Sequence, residues 1–328
     1  MSNLLSIKNL RVRFRTKSPF QAMIKKIEDP FIDAVRKVSL EIKQGETFTL
    51  VGESGSGKST LALATAGLLN AEEGQIKFMN EDVTTMTSSQ IMAYRKKISY
   101  IWQDSIGSLS PRMSVGSLIT EAYKIHNLKD RDLKMEAGRL LKLVGLPTQI
   151  SERYPHQLSG GQARRVGVAR AISLDPKLII ADEPTAGLDV SVQGEILNLL
   201  NKLRDDLGVS LFVITHNLNI VRHISDKTAV MYLGRFVEQG QTDDIFANPR
   251  HPYTLALLSA NLTPYPESSF ENRIELTGEV PSLMDRPNGC EFHTRCPFSS
   301  EHCDDEFPPI HTFKSQQILT CHYPLNSN

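Results

Sequence analysis

Residues 52–60 read GESGSGKST and follow directly on the apolar run TFTLV. An uninterrupted apolar run of that length reads as a strand covered on both faces, the kind found in parallel sheets. What such a strand opens into is the strongest constraint in the chain: a loop of three glycines, three serines and one lysine within nine positions. Gly52, Gly57, Lys58 and Ser59 match G-x-x-x-x-G-K-[ST], in which a bare loop lets backbone N–H groups curl around phosphate oxygens while the lysine meets the terminal phosphates. Glu53, Ser54, Gly55, Ser56 and Thr60 complete the cradle. The segment STLALATAGLLN, read as a helix over 59–69, aims its unpaired N–H groups and positive dipole end at the same anion. The Ser59 hydroxyl is suited to hold magnesium.

The rest of the chain agrees with an α/β class. Strand-like runs TFTLV, ISYIW, KLIIA and VSLFVI alternate with helical patterns at 59–69, 164–174 and 192–204, which argues a mainly parallel sheet. Near residue 262 the text turns rich in Pro, Ser, Asn and acidic residues, and every cysteine lies beyond that point. The sequence therefore predicts a large domain over 1–261 and a small one over 262–328. With 37 basic against 37 acidic residues there is no bulk electrostatic case for nucleic acid or an anionic membrane. A local basic group (Arg11, Arg13, Arg15, Lys17, Lys25, Lys26) reads as a solvated strand edge and loop. No signal-peptide order and no run of roughly 18 apolar residues is present, so a cytosolic chain is expected, reaching any membrane through partners.

Three further stretches carry chemistry. In HQLSGGQARRVGVARAIS, Leu158, Ser159, Gly160, Gly161 and Gln162 form a glycine turn opening a helix, either a second anion cradle or a plain N-cap with Ser159 as the capping residue. In KLIIADEPTAGLD, the apolar run delivers Asp182 and Glu183 to the carboxyl end of a strand, where open α/β sheets bind ligands. Asp182 suits magnesium, and Glu183 suits a general base for water. VSLFVI ends in Thr215 and His216, and ISYIW is followed by Gln103, whose neutral oxygen could bridge magnesium and the attacking water. Read alone, His216 is equally a capping or core histidine, and Gln103 a polar strand cap.

The order of phosphate loop, Gln103, LSGGQ, Asp182–Glu183, the GLD turn and His216 resembles the ATP-binding subunits of ATP-binding-cassette (ABC) transporters. The tail, with NPRHPYTLALLSA, GEVPS and its cysteine-bearing end, is similar to the oligopeptide and dipeptide permease ATPases, and WQDSIGSLSPRMSVG with YPHQLSGGQ looks like their F-type. The resemblance implies an ABC-type P-loop ATPase domain with a helical subdomain at about 104–165. It implies a head-to-tail dimer of cassettes, so that Ser159 to Gln162 meet the partner's nucleotide and Asp189 contacts across the dimer. Phe14 would stack on adenine, although a strand aromatic also fits core packing. His216 would hold the γ-phosphate and the water, and Gln103 would sense that phosphate. Implied partners are two transmembrane permease subunits, a second cassette ATPase and, indirectly, a peptide-binding protein. The implied place is the cytoplasmic face of the plasma membrane, and the implied function is ATP-driven peptide import. An importer of another substrate such as nickel, or a soluble cassette acting on ribosomes or DNA, is the alternative.

Two departures and one open question remain. Where the family carries a Gln-Arg pair after LSGGQ this chain has Ala163, Arg164 and Arg165, and the segment around 15–33 looks long for its hairpin. Cys290, Cys296, Cys303 and Cys321 are confined to one short tail, which in a cytosolic chain favours metal over disulfide. Four thiolates suit zinc or an iron–sulfur cluster, and four free structural cysteines are the third reading. The resemblance implies a [4Fe–4S] cluster.

Overall fold

The structure is a computed structural model that describes residues 3–16, 30–104, 106–128, 131–260, 274 and 276–326. Most of the insertion expected around 15–33, with Lys17, Lys25 and Lys26, lies outside the described residues, as does the start of the compositional shift after 261. The chain forms two compact units: one comprises Lys43–Thr47 and Thr85–Ile214, the other Asn3–Ile42, Phe48–Thr84 and Thr215–Asn328.

In the first unit, strands β6 (Ile98–Ile101), β7 (Leu178–Asp182) and β8 (Ser210–Thr215) run parallel, with Ile98 opposite Leu178 and Leu178 opposite Ser210. Every residue of β7 and β8 is buried, as continuous apolar runs in a parallel sheet require. Within the span 104–165 lie helices Val115–Ile125 and Leu133–Leu143. Ser114 caps the first through Ser117 N–H and Asp132 caps the second through Lys134 and Met135 N–H, each satisfying donors that a helix start leaves unpaired. Their buried positions, Val115, Leu118 and Ile119 against Ala137, Leu140 and Leu141, recur at the three- and four-residue spacing of an apolar helix face.

The second unit holds two sheets. One has the order β2 (Phe31–Lys43), β1 (Asn3–Arg15), β4 (Glu73–Phe78), β5 (Glu81–Asp82). In the other, β3 (Thr47–Val51) pairs parallel with β9 (Lys227–Tyr232), which continues antiparallel through β10 (Arg235–Gln241) to β12 (Ile318–Thr320) and β11 (Ile310–Thr312). The tail therefore contributes a hairpin to the sheet that carries the phosphate loop. The helix expected over 59–69 is shorter, Lys58–Thr65. Gly67 takes a left-handed φ of 67° and Leu68 N–H bonds back to Leu63 O at 2.9 Å, a glycine-dependent stop.

The basic strand edge is not simply solvated. Arg11 is paired with Asp33 at 2.7 Å and Glu73 at 2.7 Å, and Arg13 sits 4.8 Å over the Phe31 ring. Below the phosphate loop, Tyr232, Tyr253 and Phe292 meet with ring centroids 4.9 to 5.3 Å apart, joined by Val51, Val230 and Leu233. Phe292 is thus a tail residue in the same core as the end of β3. Phe292→Ala is expected to destabilise this unit by about 3–5 kcal/mol, the usual cost of an emptied aromatic site. Urea unfolding followed by fluorescence checks it.

Candidate functional site

The expected site residues fall in both units, and each set has its own geometry. In the second unit β3 delivers Gly52 with φ 154° and the loop closes on Gly57 with φ 103°. A Cβ on Gly52 would stand 2.2 Å from Met231 O, and one on Gly57 would stand 2.2 Å from Ala34 O. Both glycines are therefore demanded by close backbone approach, Gly57 also by a left-handed φ. Lys58 is buried, and its ammonium donates to Gly52 O at 2.8 Å, Glu53 O at 2.7 Å and Ser56 Oγ at 3.4 Å. Ser54, Gly55 and Ser59 are exposed and Thr60 is half-buried. Phe14 is 37% exposed near the end of β1. His216 follows β8 and is exposed.

In the first unit the carboxyl ends of the parallel strands carry the polar residues. Asp182 closes β7, and only 6% of it is exposed. Its Oδ2 accepts from Tyr100 Oη at 2.9 Å, while Oδ1 is buried with no hydrogen-bond partner among the described residues. Burial, with Asp182 beside it, pushes the Tyr100 hydroxyl pKa up, so tyrosine remains the donor. A buried carboxylate oxygen without a partner is costly, and a magnesium ion directly or through water would satisfy it, so the residue present fits that ion. Glu183 has a left-handed φ of 48°, its N–H donating to Ile214 O at 2.9 Å. A non-glycine residue held there is strained, and such strain gathers at functional positions.

Ser159 caps the helix Gly160–Ala171, accepting from Gln162 N–H at 3.2 Å while Ser159 N–H donates to Gln162 Oε1 at 3.2 Å. Leu158, Gly161 and Gln162 are half-buried and Ser159 and Gly160 exposed. The capping reading is thus realised, and it leaves the turn open to solvent. Asp189 likewise caps the helix Val190–Leu207, its Oδ1 accepting from Val192 N–H at 3.0 Å.

Gln103 is exposed, and its carbonyl is held by a residue whose role the sequence did not disclose. Arg164, where the family's usual pair is altered, donates to Gln103 O at 2.8 Å, Trp102 O at 3.3 Å and Ala186 O at 2.8 Å. One guanidinium thus joins the segment after β6, the helix after LSGGQ and the turn after Glu183. Its departure from the family pattern was the signal that could have found it.

The cysteines come together. Cys290, Cys296, Cys303 and Cys321 line one cavity of about 10 Å³ with Phe292, Phe298 and His322 among its walls. That volume holds about one water. Burial pushes the Cys290 thiol up to about 11 and the Cys321 thiol to about 12. Among the described residues no group of three or more His, Cys, Asp or Glu is placed to hold a metal ion. The four thiols share one cavity, and among the described residues no built site for zinc or an iron–sulfur cluster is found.

Comparison with known proteins decides the family. Residues 35–186 match the ABC transporter family, and residues 237–303 match the oligopeptide/dipeptide transporter C-terminal region. The chain is 40% identical over 321 residues to the oligopeptide transport ATP-binding protein OppF of Haemophilus influenzae, covering 97% of this chain and 96% of that one. The chain belongs to the ABC transporter family. It is 42% identical to OppF of Salmonella typhimurium, covering 94% and 92% of the two chains. Among solved structures, the post-hydrolysis dimer of the ATP-binding cassette MJ0796 bound to ADP and Pi superposes with a TM-score of 0.63 at 28% identity, covering 73% of this chain and 98% of that one. CbiO1 from Clostridium perfringens gives 0.64 at 27% identity, covering 75% and 92%. The chain is an ABC ATPase of mixed α/β fold, and among its described residues no helix is long and apolar enough to cross a membrane.

Arg164→Ala is expected to cost about 1–3 kcal/mol, because carbonyls are left unpaired, and to lower ATP turnover. Arg164→Lys should not restore either, since one ammonium cannot reproduce a planar fork. Denaturation curves and steady-state ATPase rates check both.

Proposed function

We propose that this chain is the ATP-hydrolysing subunit of a peptide importer, of the F-type, bound peripherally at the cytoplasmic face of the membrane. Its partners would be two transmembrane permease subunits and a second cassette, with a peptide-binding protein delivering substrate from the other side. The observation that carries this reading is the joining of an intact phosphate loop to a tail of oligopeptide/dipeptide transporter type. Nothing in the charge balance favours nucleic acid. The functional division would be a cassette over 1–261, with its helical part at about 104–165, and the extension over 262–328.

In this reading Phe14 stacks on adenine, and the N–H groups of residues 52–60 wrap the phosphates while Lys58 exchanges its carbonyl partners for phosphate oxygens. Ser59, Gln103 and Asp182 hold magnesium, whose chemistry is to neutralise charge on the β- and γ-phosphates. Glu183 accepts a proton from the attacking water, and His216 orients that water against the γ-phosphate. The turn Leu158–Gln162 and Asp189 serve the nucleotide of the opposing cassette. Gln103, through the helices that follow it, reports closure to the permeases.

Glu183→Gln is expected to bind ATP normally and to lose more than about 100-fold in turnover, as base and electrostatic deletions do. Lys58→Ala should lose ATP binding itself. In cells lacking the native gene, uptake of labelled tri- and tetrapeptides should return with the wild-type chain and not with Glu183→Gln. Peptide uptake that never depends on the chain would remove the import reading and leave the ATPase.

For the cysteines, the [4Fe–4S] reading is supported by the resemblance and by the convergence of four thiols on one cavity, and no step above runs through it. Four irons and four sulfides per chain in anaerobically purified protein would carry it. Colourless, iron-free protein with four titratable thiols would assign the cysteines to packing.

A further inference from the structure

The phosphate loop is held from the tail. Arg295, whose side chain is only 6% exposed, makes a two-pronged ion pair with the Glu53 carboxylate, at 2.7 Å to Oε2 and 3.0 Å to Oε1, across 242 residues of sequence. The Glu53 N–H donates to Tyr253 Oη at 3.0 Å, and its carbonyl accepts from Lys58 Nζ at 2.7 Å. The first residue after Gly52 is thus fixed by side chain, N–H and carbonyl, and two of the three partners lie beyond residue 250. Arg295 is itself placed by the aromatic core: its guanidinium is 5.9 Å from the Tyr232 ring centre, and Phe292, three residues before it, packs on Tyr232 and Tyr253.

The electrostatics give this contact a consequence beyond rigidity. A carboxylate in a loop that receives a polyphosphate repels its ligand, and a bidentate guanidinium neutralises it while fixing its direction. We propose that Arg295 is a positioning residue of the nucleotide site, holding and neutralising Glu53 so that the loop presents net positive charge to phosphate, which makes the C-terminal extension a working part of ATP binding. The inference rests on the nucleotide reading given above and adds that the tail sets the affinity of that site.

The test is ATP affinity, with magnesium, of the purified full-length chain and its variants by equilibrium binding, alongside KM, kcat and thermal unfolding. Arg295→Ala should weaken ATP binding on the order of tenfold, the scale of a lost charge-assisted pair, with KM rising and kcat nearly unchanged. Adding Glu53→Gln to Arg295→Ala should recover most of that loss, because the uncovered carboxylate is gone. Arg295→Lys should fall between wild type and Arg295→Ala. If Arg295→Ala does not fold, Arg295→Gln, which keeps most of the stem, is read in the same way. Unchanged ATP affinity in a folded Arg295 variant overturns the proposal, as does a loss that Glu53→Gln fails to relieve. A wild-type chain that binds no ATP would instead overturn the nucleotide reading itself.

Discussion

Two backbone approaches, Gly52 against Met231 O and Gly57 against Ala34 O, set the conditions for everything at the phosphate loop. A side chain at either position would drive a Cβ into a carbonyl, so the loop is pinned between β9 and the start of β2 by geometry that only glycine permits. With its ends fixed, the loop has one path, and the Lys58 ammonium fills its interior by bonding to the Gly52 and Glu53 carbonyls. A buried ammonium needs such partners to remain charged. The same bonds hold the lysine inside the loop, the position from which the proposed function has it meet phosphate.

Buried charge is handled in the same manner elsewhere in the chain. Strand β7 is apolar and buried until its last residue, and there Asp182 keeps one oxygen on Tyr100 while the other has no partner among the described residues. Arg164 answers burial by bonding three carbonyls from two loops. Each of these residues is costly to bury, and each bonds to another segment of the chain.

What could be read from sequence was local, and what could not was distant. The phosphate loop, the capping turn at Ser159 and the strand ending in Asp182 are each specified within about ten residues, and periodicity or glycine spacing exposes them. Helix Lys58–Thr65 proved shorter than its apolar pattern because a left-handed Gly67 ends it. The bond between Glu53 and Arg295 left no trace in either stretch, since 242 residues separate the pair: Glu53 read only as part of the phosphate cradle, and Arg295 carried no reading. The tail looked like an appendage by composition, yet β12 pairs with β10, placing Leu319 opposite Glu238. The number of cysteines was legible, but the small cavity they share was not.

The central claim is that this ATPase works for a membrane permease. The most direct measurement is a mild-detergent purification of the tagged chain from its own membranes, with identification of the proteins that accompany it. The account predicts two multi-span permeases and a second cassette ATPase. Recovery with ribosomal or DNA-repair proteins and no permease would contradict it.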